Sequence, residues 1–407
     1  MRRYILAIVL LLVSNYCYSI AYKVVYLNSF GYLGADYRYV PLAVLVFSSL
    51  VGFLHYWHIT RVNSIQLKLF LSIFYLFSVV SVPITSWMIS DWDIFKWLKI
   101  NILYFLLVSI FIFFTRIKLP AFVSNRYFAK IALQGYPVLI GLLLVILIYP
   151  LGINLDLNFS TIYDRRLIAR DSTPLIFKYI ISNTIAVVLP ISAYLALKEK
   201  RLDIGLLTLF LILYIFSYEG SKAVFFKPIA VLFIVYFCRI ISVHKILDIF
   251  LQFYASLTII LSLLIYGIKN DFFNLILHRS FFLPNKLIVW YLETYDRGND
   301  IGDAKSPAYY IGTEYLGSPD INANSNFIVS GLLNNGFITT CCITVVASFF
   351  VANLLRGRAG TLGLVVAVLL SLTLAESAFL TSLGNHGLIL LIVYSEIFKT
   401  RYNETMH

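Results

Sequence analysis

Apolar runs of roughly 20 residues recur along almost the whole chain and restrict what it can fold into. Hydrophobic residues make up 60% of the 407 residues and charged residues 13%, so a soluble fold would be covered with apolar surface. In hydrocarbon, only helices and closed barrels satisfy their own backbone hydrogen bonds, and barrel strands alternate over roughly 10 residues. The continuous runs therefore predict an all-α, polytopic integral membrane protein.

Polar residues between the runs give about twelve predicted spans in a single integral membrane domain covering residues 1–407. Two long connectors stand out, an arginine-rich loop at 151–178 and a larger loop at 269–325 that is rich in Tyr, Gly and Pro. Aromatic residues mixed with turn formers predict that the larger loop is a lid of short helices and loops lying on the membrane face. The predicted spans cover residues 4–21, 40–57, 67–89, 97–114, 131–150, 177–197, 202–217, 223–241, 246–268, 326–353, 361–376 and 378–398.

Short basic connectors set the predicted orientation, because cytoplasmic loops of membrane proteins are enriched in Lys and Arg. All of them fall on one side, which we predict to be cytoplasmic, so both long connectors lie outside. The net charge of +12 then belongs to loops, which favours contact with anionic membrane lipids and no nucleic-acid partner. The basic connectors include residues 2–3, 61–68, 116–130, 198–201, 239–245, 356–358 and 399–401.

Arginine is gathered in both outer connectors, on the side where membrane topology disfavours basic residues. A guanidinium group binds phosphate oxygens through two hydrogen bonds and keeps its charge beside hydrocarbon, whereas a partly buried lysine can lose its proton. We therefore predict a site for a phosphate-bearing ligand. Its candidate catalytic residues are Arg166 and Arg279, followed by Arg165 and Arg170.

Each of these assignments has a structural alternative. The arginines could neutralise Asp164 and Asp171 or lie against lipid head groups. His278, which directly precedes Arg279, could act as a base or bind a phosphate, or it could be a polar anchor at the membrane interface.

Three stretches of the outer connectors carry a family likeness, in the order in which the family has them. The arginine loop 163–170 follows the fifth span, and His278–Pro284 is similar to an Arg-x-Phe-x-x-Pro pattern ahead of an aromatic stretch. The segment Asp320–Ile328 matches an Ala-Asn-x-Asn-Phe-Ile pattern ahead of a glycine, and 218–222 is a weaker Gly-Ser-Lys match. In these features the chain resembles the bacterial O-antigen polymerases, which are grouped with the O-antigen ligases.

The resemblance implies a GT-C-like membrane glycosyltransferase of lipopolysaccharide biosynthesis, located in the bacterial inner membrane with its active site facing the periplasm. Such an enzyme transfers a glycan chain from undecaprenyl pyrophosphate onto a single lipid-linked repeat unit, and undecaprenyl pyrophosphate leaves. A chain-length regulator is the implied protein partner, and no cofactor is called for. The residues expected to contact the substrate are Asn322, Asn324, Asn326, Lys222, Glu219, Trp290 and Tyr291.

Several of these residue types also serve structural roles at such positions. Asparagines that precede a span also cap helices, and Glu219 with Lys222 could form a purely structural ion pair. Asp91-Trp92-Asp93 looks like the Asp-x-Asp by which many glycosyltransferases hold a metal, but the polymerase resemblance calls for no metal, and we predict none.

Two rival functions stay open. In an O-antigen ligase a histidine stands directly before the Asn-x-Phe segment, where this chain has Ser325. A flippase for lipid-linked oligosaccharides would hold its cations in a central cavity along the spans, whereas this chain keeps them in outer loops. The general base is left open among the outer carboxylates, which are Asp164, Asp171, Glu219, Glu293, Asp300, Asp303, Glu314 and Asp320.

Overall fold

The structure is a computed structural model of a chain that divides into two compact units, and each is described by itself. Unit 1 consists of Met1–Leu119, Ser242–Ala352 and Leu374–Phe379, and unit 2 of the remaining segments. Structural statements concern residues 2–29, 37–117, 126–152, 165, 168–169, 172–221, 223–240, 245–264, 282–298, 304, 306–319, 321–356 and 361–397.

Within these residues the chain is entirely helical, as the apolar runs predict. The helices of the first half are α1 (Arg2–Ser29), α2 (Leu42–Thr60), α3 (Ile65–Ser78), α4 (Val82–Ile89), α5 (Ile94–Phe114), α6 (Arg126–Leu151), α7 (Leu175–Asn183), α8 (Leu189–Glu199) and α9 (Leu202–Glu219). Those of the second half are α10 (Ala223–Ile240), α11 (Ile246–Leu264), α12 (Leu283–Asp296), α13 (Pro307–Leu316), α14 (Phe327–Arg356), α15 (Thr361–Glu376), α16 (Phe379–Asn385) and α17 (Leu388–Ile397).

Nine segments of the described chain are long and apolar enough to cross a membrane, so the protein is a polytopic membrane protein. Two further apolar helices, Ala223–Cys238 and Leu362–Glu376, are shorter, and the predicted span 378–398 consists of the two short helices α16 and α17. The candidate spans are Arg2–Val24, Leu42–Thr60, Ile65–Ile89, Ile94–Phe114, Leu133–Leu151, Leu175–Glu199, Leu202–Glu219, Ile246–Leu263 and Phe327–Leu355.

Contacts between distant residues identify the two ends of unit 1. Arg3 at the start of α1 forms a 2.8 Å ion pair with Asp248 at the start of α11, and Tyr56 near the end of α2 donates to the same carboxylate. These are the ends that the basic connectors place on the cytoplasmic side, so we call this the inner end. At the opposite, outer end, Lys96 in the first turn of α5 forms a 2.6 Å ion pair with Asp296, the last residue of α12.

The most buried span of unit 1 is broken in its middle. Helix α3 ends at Ser78, and α4 begins at Val82 with proline in its first turn, so the usual helical hydrogen bonds lapse between them. The Tyr104 hydroxyl of α5 supplies one missing partner by donating to the Ser78 carbonyl, and the Tyr254 hydroxyl of α11 is hydrogen-bonded to the Ser81 side chain within the break. The break is thus held by tyrosines, since no water is available in hydrocarbon to replace them.

A second interruption reverses the chain direction inside α14. Gly336 has φ 72° and ψ 176°, which is not helical, and so separates a short first helix from the longer remainder. A Cβ built on Gly331 would lie 3.2 Å from Cγ2 of Thr340, although nine residues of straight helix span about 13 Å. Residues 327–335 and 337–356 therefore form a helical hairpin, whose close approach is possible because residue 331 is a glycine.

The first arm of this hairpin starts deep in the bundle. Asn326 Nδ2 donates to the Tyr104 hydroxyl at 2.9 Å, and Tyr104 lies about 15 Å along α5 from its outer end. The ring of Phe327 packs on Phe111, with 5.0 Å between centroids, near the inner end of α5. The second arm brings Phe349 to Phe114 at the same inner end. Residues 321–335 are therefore a re-entrant segment that enters from the outer end and returns to it.

Unit 2 also contains interrupted helices. The span Leu175–Glu199 includes a π-helical turn, Thr184–Val188, and α16 and α17 are separated by residues 386–387. Ser182 donates to the carbonyl of Asn385 at 2.6 Å, and the Asn183 amide donates to that of Gly384 at 3.1 Å. Polar side chains on one interrupted span thus satisfy the backbone of the other.

The hairpin predicts which positions are open to the outer solution. In a chain whose native cysteines are replaced by serine, Asn335→Cys should react with a membrane-impermeant maleimide added to the outer side, because it lies at the hairpin tip. Asn322→Cys is the positive control and Val346→Cys, on the lipid-facing second arm, the negative one. A single straight span would place residue 335 about 12 Å below residue 327 and leave it unlabelled, which would contradict the re-entrant segment.

Candidate functional site

Helices and loops from the large outer connector pack into the outer half of unit 1, and we call α12, α13 and residues 317–319 and 321–326 the outer-end layer. Helix α12 buries residues on every side, and Asn285 near its start donates to the Tyr18 hydroxyl at 3.4 Å. The Ala323 amide donates to the Ala308 carbonyl at 3.1 Å, which ties the loop to α13. The prediction of a lid lying on the membrane face is therefore wrong for α12, which is sunk among the spans because its apolar residues surround the helix.

The aromatic pair predicted to contact substrate lies inside this layer. Trp290 is 6% exposed and stacks on Tyr315 of α13, with ring centroids 5.0 Å apart. Tyr291 is 2% exposed and donates to the Ala323 carbonyl at 3.1 Å. Trp290 and Tyr291 therefore join α12 to its neighbours. In the stacked pair of Trp290 and Tyr315, Tyr315 is the more exposed ring, since it is half-buried.

The three alternate asparagines have three different environments. Asn322 is exposed, Asn324 is half-buried and Asn326 is fully buried. The side-chain oxygen of Asn326, Oδ1, accepts from the backbone amides of Ile328 and Val329, both at 3.1 Å, and so caps the re-entrant helix. Two roles were open for Asn326, contact with a sugar and capping of a helix, and the structure shows the capping. Contacts of Asn322 and Asn324 with sugar stay predictions.

Arg165 is the one predicted catalytic arginine that lies among the described residues, and it is largely buried at the end of α9 in unit 2. Its Nη1 donates to the Ser217 carbonyl at 2.8 Å, and its guanidinium carbon lies 5.7 Å from the centroid of the Phe216 ring. Nearby, the Tyr218 and Thr173 hydroxyls are hydrogen-bonded at 2.7 Å. Arg166, Arg170, Arg279, His278 and Lys222 lie outside the described residues.

Arg165 lies beside the start of a second segment that carries the family likeness. It contacts Ser217, which immediately precedes the segment 218–222. Glu219 ends α9, half-buried, and Gly220 adopts φ 65° as its left-handed cap. The chain thereby turns sharply beside a buried guanidinium, a geometry that sequence spacing could not establish.

Two ionisable residues are prominent in the outer-end layer: Lys286, which sequence reasoning did not select, and Glu293, which it left among eight candidate bases. Lys286 is 1% exposed, with Nζ 4.8 Å from the Trp290 ring centroid, and burial lowers its pKa to about 8. Glu293 lies one turn beyond Trp290, where burial raises the pKa of its carboxyl group. The signal that could have found both is their position on an otherwise apolar helical face after the 278–284 motif.

The Asp-x-Asp sequence has structural roles. Asp93 caps α5 by accepting from the Lys96 amide at 2.8 Å, and Trp92 is buried, its carbonyl accepting from Arg38 at 2.7 Å. Asp91 is exposed and lies near Glu293, whose pKa its charge helps to raise. Across the part of the chain that the structure describes, no three His, Cys, Asp or Glu side chains gather as a metal site.

No protein-family model matches this chain, and neither a curated protein nor a solved structure is similar enough to count as a match.

The cap predicts different effects for two asparagines of one motif. Asn326→Ala should lower the free energy of unfolding by about 2 kcal/mol, because it removes the acceptor of two helix amides and the donor to the Tyr104 hydroxyl. Asn322→Ala, at an exposed position, should change it by no more than about 0.5 kcal/mol. Thermal unfolding of both purified variants in the same detergent measures the difference. Equal melting temperatures would refute the capping role.

Proposed function

We propose that this chain is an O-antigen or related surface-polysaccharide polymerase, a lipid-dependent glycosyltransferase of the bacterial inner membrane. It would have a GT-C-like fold of about twelve spans and act at the periplasmic face. It would transfer a glycan chain from undecaprenyl pyrophosphate onto a lipid-linked repeat unit, together with a chain-length regulator.

The observation that carries this proposal is the buried Arg165 guanidinium beside the end of α9. Burying a guanidinium at the edge of a membrane bundle is costly, so its position favours a role over simple contact with lipid head groups. The Ser217 carbonyl and the Phe216 ring fix its orientation. Its neighbours in sequence, Arg166 and Arg170, would add charge to the same loop.

A fixed arginine suits the chemistry of the proposed reaction. As the bond between the anomeric carbon and phosphate breaks, negative charge grows on the pyrophosphate leaving group. Cationic hydrogen-bond donors that are already in place stabilise this charge more strongly than they stabilise the bound substrate, which lowers the barrier. Arginine serves better than lysine because its fork binds two phosphate oxygens and its charge survives burial.

The outer-end layer of unit 1 supports the same reaction class. It places a re-entrant helix, a buried lysine and a buried carboxylate at the outer end of unit 1, the end that would face the periplasm. Irregular backbone at membrane depth is tolerated where it is enclosed by protein or lines a cavity. Arg279 and His278 stand four and five residues before the start of α12 in the sequence.

A deletion strain complemented with variants tests the proposal. Arg165→Ala should reduce long-chain surface glycan by roughly 10²–10³-fold, the usual effect of removing one donor to transition-state charge, and Arg165→Lys should restore only part of it. Arg201→Ala is the matched control, because Arg201 lies in a short connector and is paired with Asp203 at 2.5 Å. Chain length is read on gels, and protein level from an affinity tag.

The same strain distinguishes the rival functions. Single repeat units still attached to the lipid A core indicate loss of a polymerase. Lipid-linked polymer that is never transferred to the lipid A core indicates loss of a ligase. Lipid-linked intermediates retained on the cytoplasmic face indicate loss of a flippase. Either of the last two outcomes, or normal chain length in Arg165→Ala, would overturn the proposal.

A further inference from the structure

We propose that Glu293 is the general base that takes the proton from the acceptor sugar hydroxyl. This inference rests on the proposed function and names a residue for a step that the sequence leaves unassigned. Glu293 belongs to α12, two turns beyond Lys286 and at the outer end of unit 1. It is therefore on the side where the proposed acceptor would arrive.

The position of Glu293 is fixed from two elements. Arg297, one turn further along α12, holds its Oε1 at 2.6 Å, and Tyr315 of α13 lies beside its carboxyl group. Tyr315 is also the ring that stacks on Trp290, one turn earlier on α12. The carboxylate thus has a single orientation at the edge of an aromatic pair, and aromatic faces are surfaces on which the apolar face of a sugar ring packs.

Burial raises the pKa of the Glu293 carboxyl group, which favours proton transfer to it. The side chain of Glu293 is 15% exposed, and desolvation, the largest effect, raises its pKa. Arg297 and Tyr315 act to lower that pKa, and the charge of Asp91 on the connector before α5 acts to raise it. A base works best when its pKa approaches the working pH, so a buried carboxylate accepts a proton more readily than an exposed one.

The other described carboxylates of this end are less suited to the step. Asp93 accepts from the backbone of α5 as a cap, and Asp296 is bound by Lys96 at 2.6 Å. Glu314 lies 4.0 Å from Arg297, but its side chain is 49% exposed, so water competes for it. Asp296 is as buried as Glu293, with a side chain 12% exposed, but Glu293 is the one that is both buried and next to the Trp290–Tyr315 pair.

The proposed step balances in atoms and charge. The acceptor hydroxyl transfers its proton to the Glu293 carboxylate while its oxygen forms a bond to the anomeric carbon of the donor. The bond between that carbon and the phosphate oxygen breaks, and its electron pair leaves with undecaprenyl pyrophosphate. The Glu293 carboxylic acid then releases the proton to water. No oxidant or reductant is involved.

Purified protein in lipid nanodiscs, supplied with lipid-linked repeat units, tests the assignment. Glu293→Gln keeps the size of the side chain but cannot take a proton, so polymer formation should fall by roughly 10²–10⁴-fold. Glu314→Gln is the matched control, since it removes the other carboxylate near Arg297, and should stay within about twofold because exposed pairs contribute little. Binding of the lipid-linked repeat unit should persist in both variants.

A pH profile of activity is a second measurement. Its acidic limb would not depend on the pKa of Glu293 if that residue had a purely structural role. Activity should fall as the pH drops through the pKa of Glu293, because the protonated acid cannot accept a proton. Arg297→Gln removes the positive charge that lowers this pKa, so the acidic limb should shift to higher pH. Glu314→Gln should leave that limb in place.

The outcomes separate the two proposals. If the wild-type protein makes no polymer, the proposed function fails and this assignment fails with it. If wild type polymerises but Glu293→Gln stays within tenfold of it, the assignment alone is overturned. If Glu293→Gln does not fold, Arg297→Gln decides: an unmoved acidic limb excludes Glu293 as the base.

Discussion

A hydrogen bond chain at mid-depth in unit 1 is the interaction on which the architecture of the outer end depends. The Asn326 amide donates to the Tyr104 hydroxyl, which donates to the Ser78 carbonyl where the central span is broken. Hydrocarbon offers no water to either the break or the re-entrant helix, so each requires a partner from protein. One tyrosine supplies both, and the two irregularities therefore stabilise each other.

This coupling explains why the outer connector could be folded into the membrane. Tyr104 of α5 donates to the break in the central span, and the entering chain donates to the same hydroxyl through Asn326. With the re-entrant helix in place, α12 packs against α3 and α4 and its buried side chains face protein. Lys286 and Glu293 are buried as a consequence of this arrangement rather than by local sequence preference.

The sequence predicted the membrane class and most spans, because a run such as Ile94–Phe114 has no alternative that satisfies its backbone. It did not predict the hairpin, because the apolar run passes through Gly336 without a charged residue to mark the turn. It also read 378–398 as one span, although residues 386–387 divide it. Only contacts such as that of Gly331 with Thr340 show where an apolar segment reverses, and spacing does not encode them. For the site, the motifs drew attention to Arg165, whereas Lys286 was assigned to a polar loop because the apolar helical face around it in α12 was not recognised.

Desolvation connects the fold with its chemistry. The same burial acts in opposite directions on the two ionisable side chains of α12, lowering the pKa of Lys286 to about 8 and raising that of Glu293. In each case the charged form is disfavoured, so both groups move toward the range in which protons are exchanged near neutral pH. An exposed lid would leave both at their ordinary values. The burial that forces the backbone to find partners within the protein thus also shifts the pKa values of these two side chains.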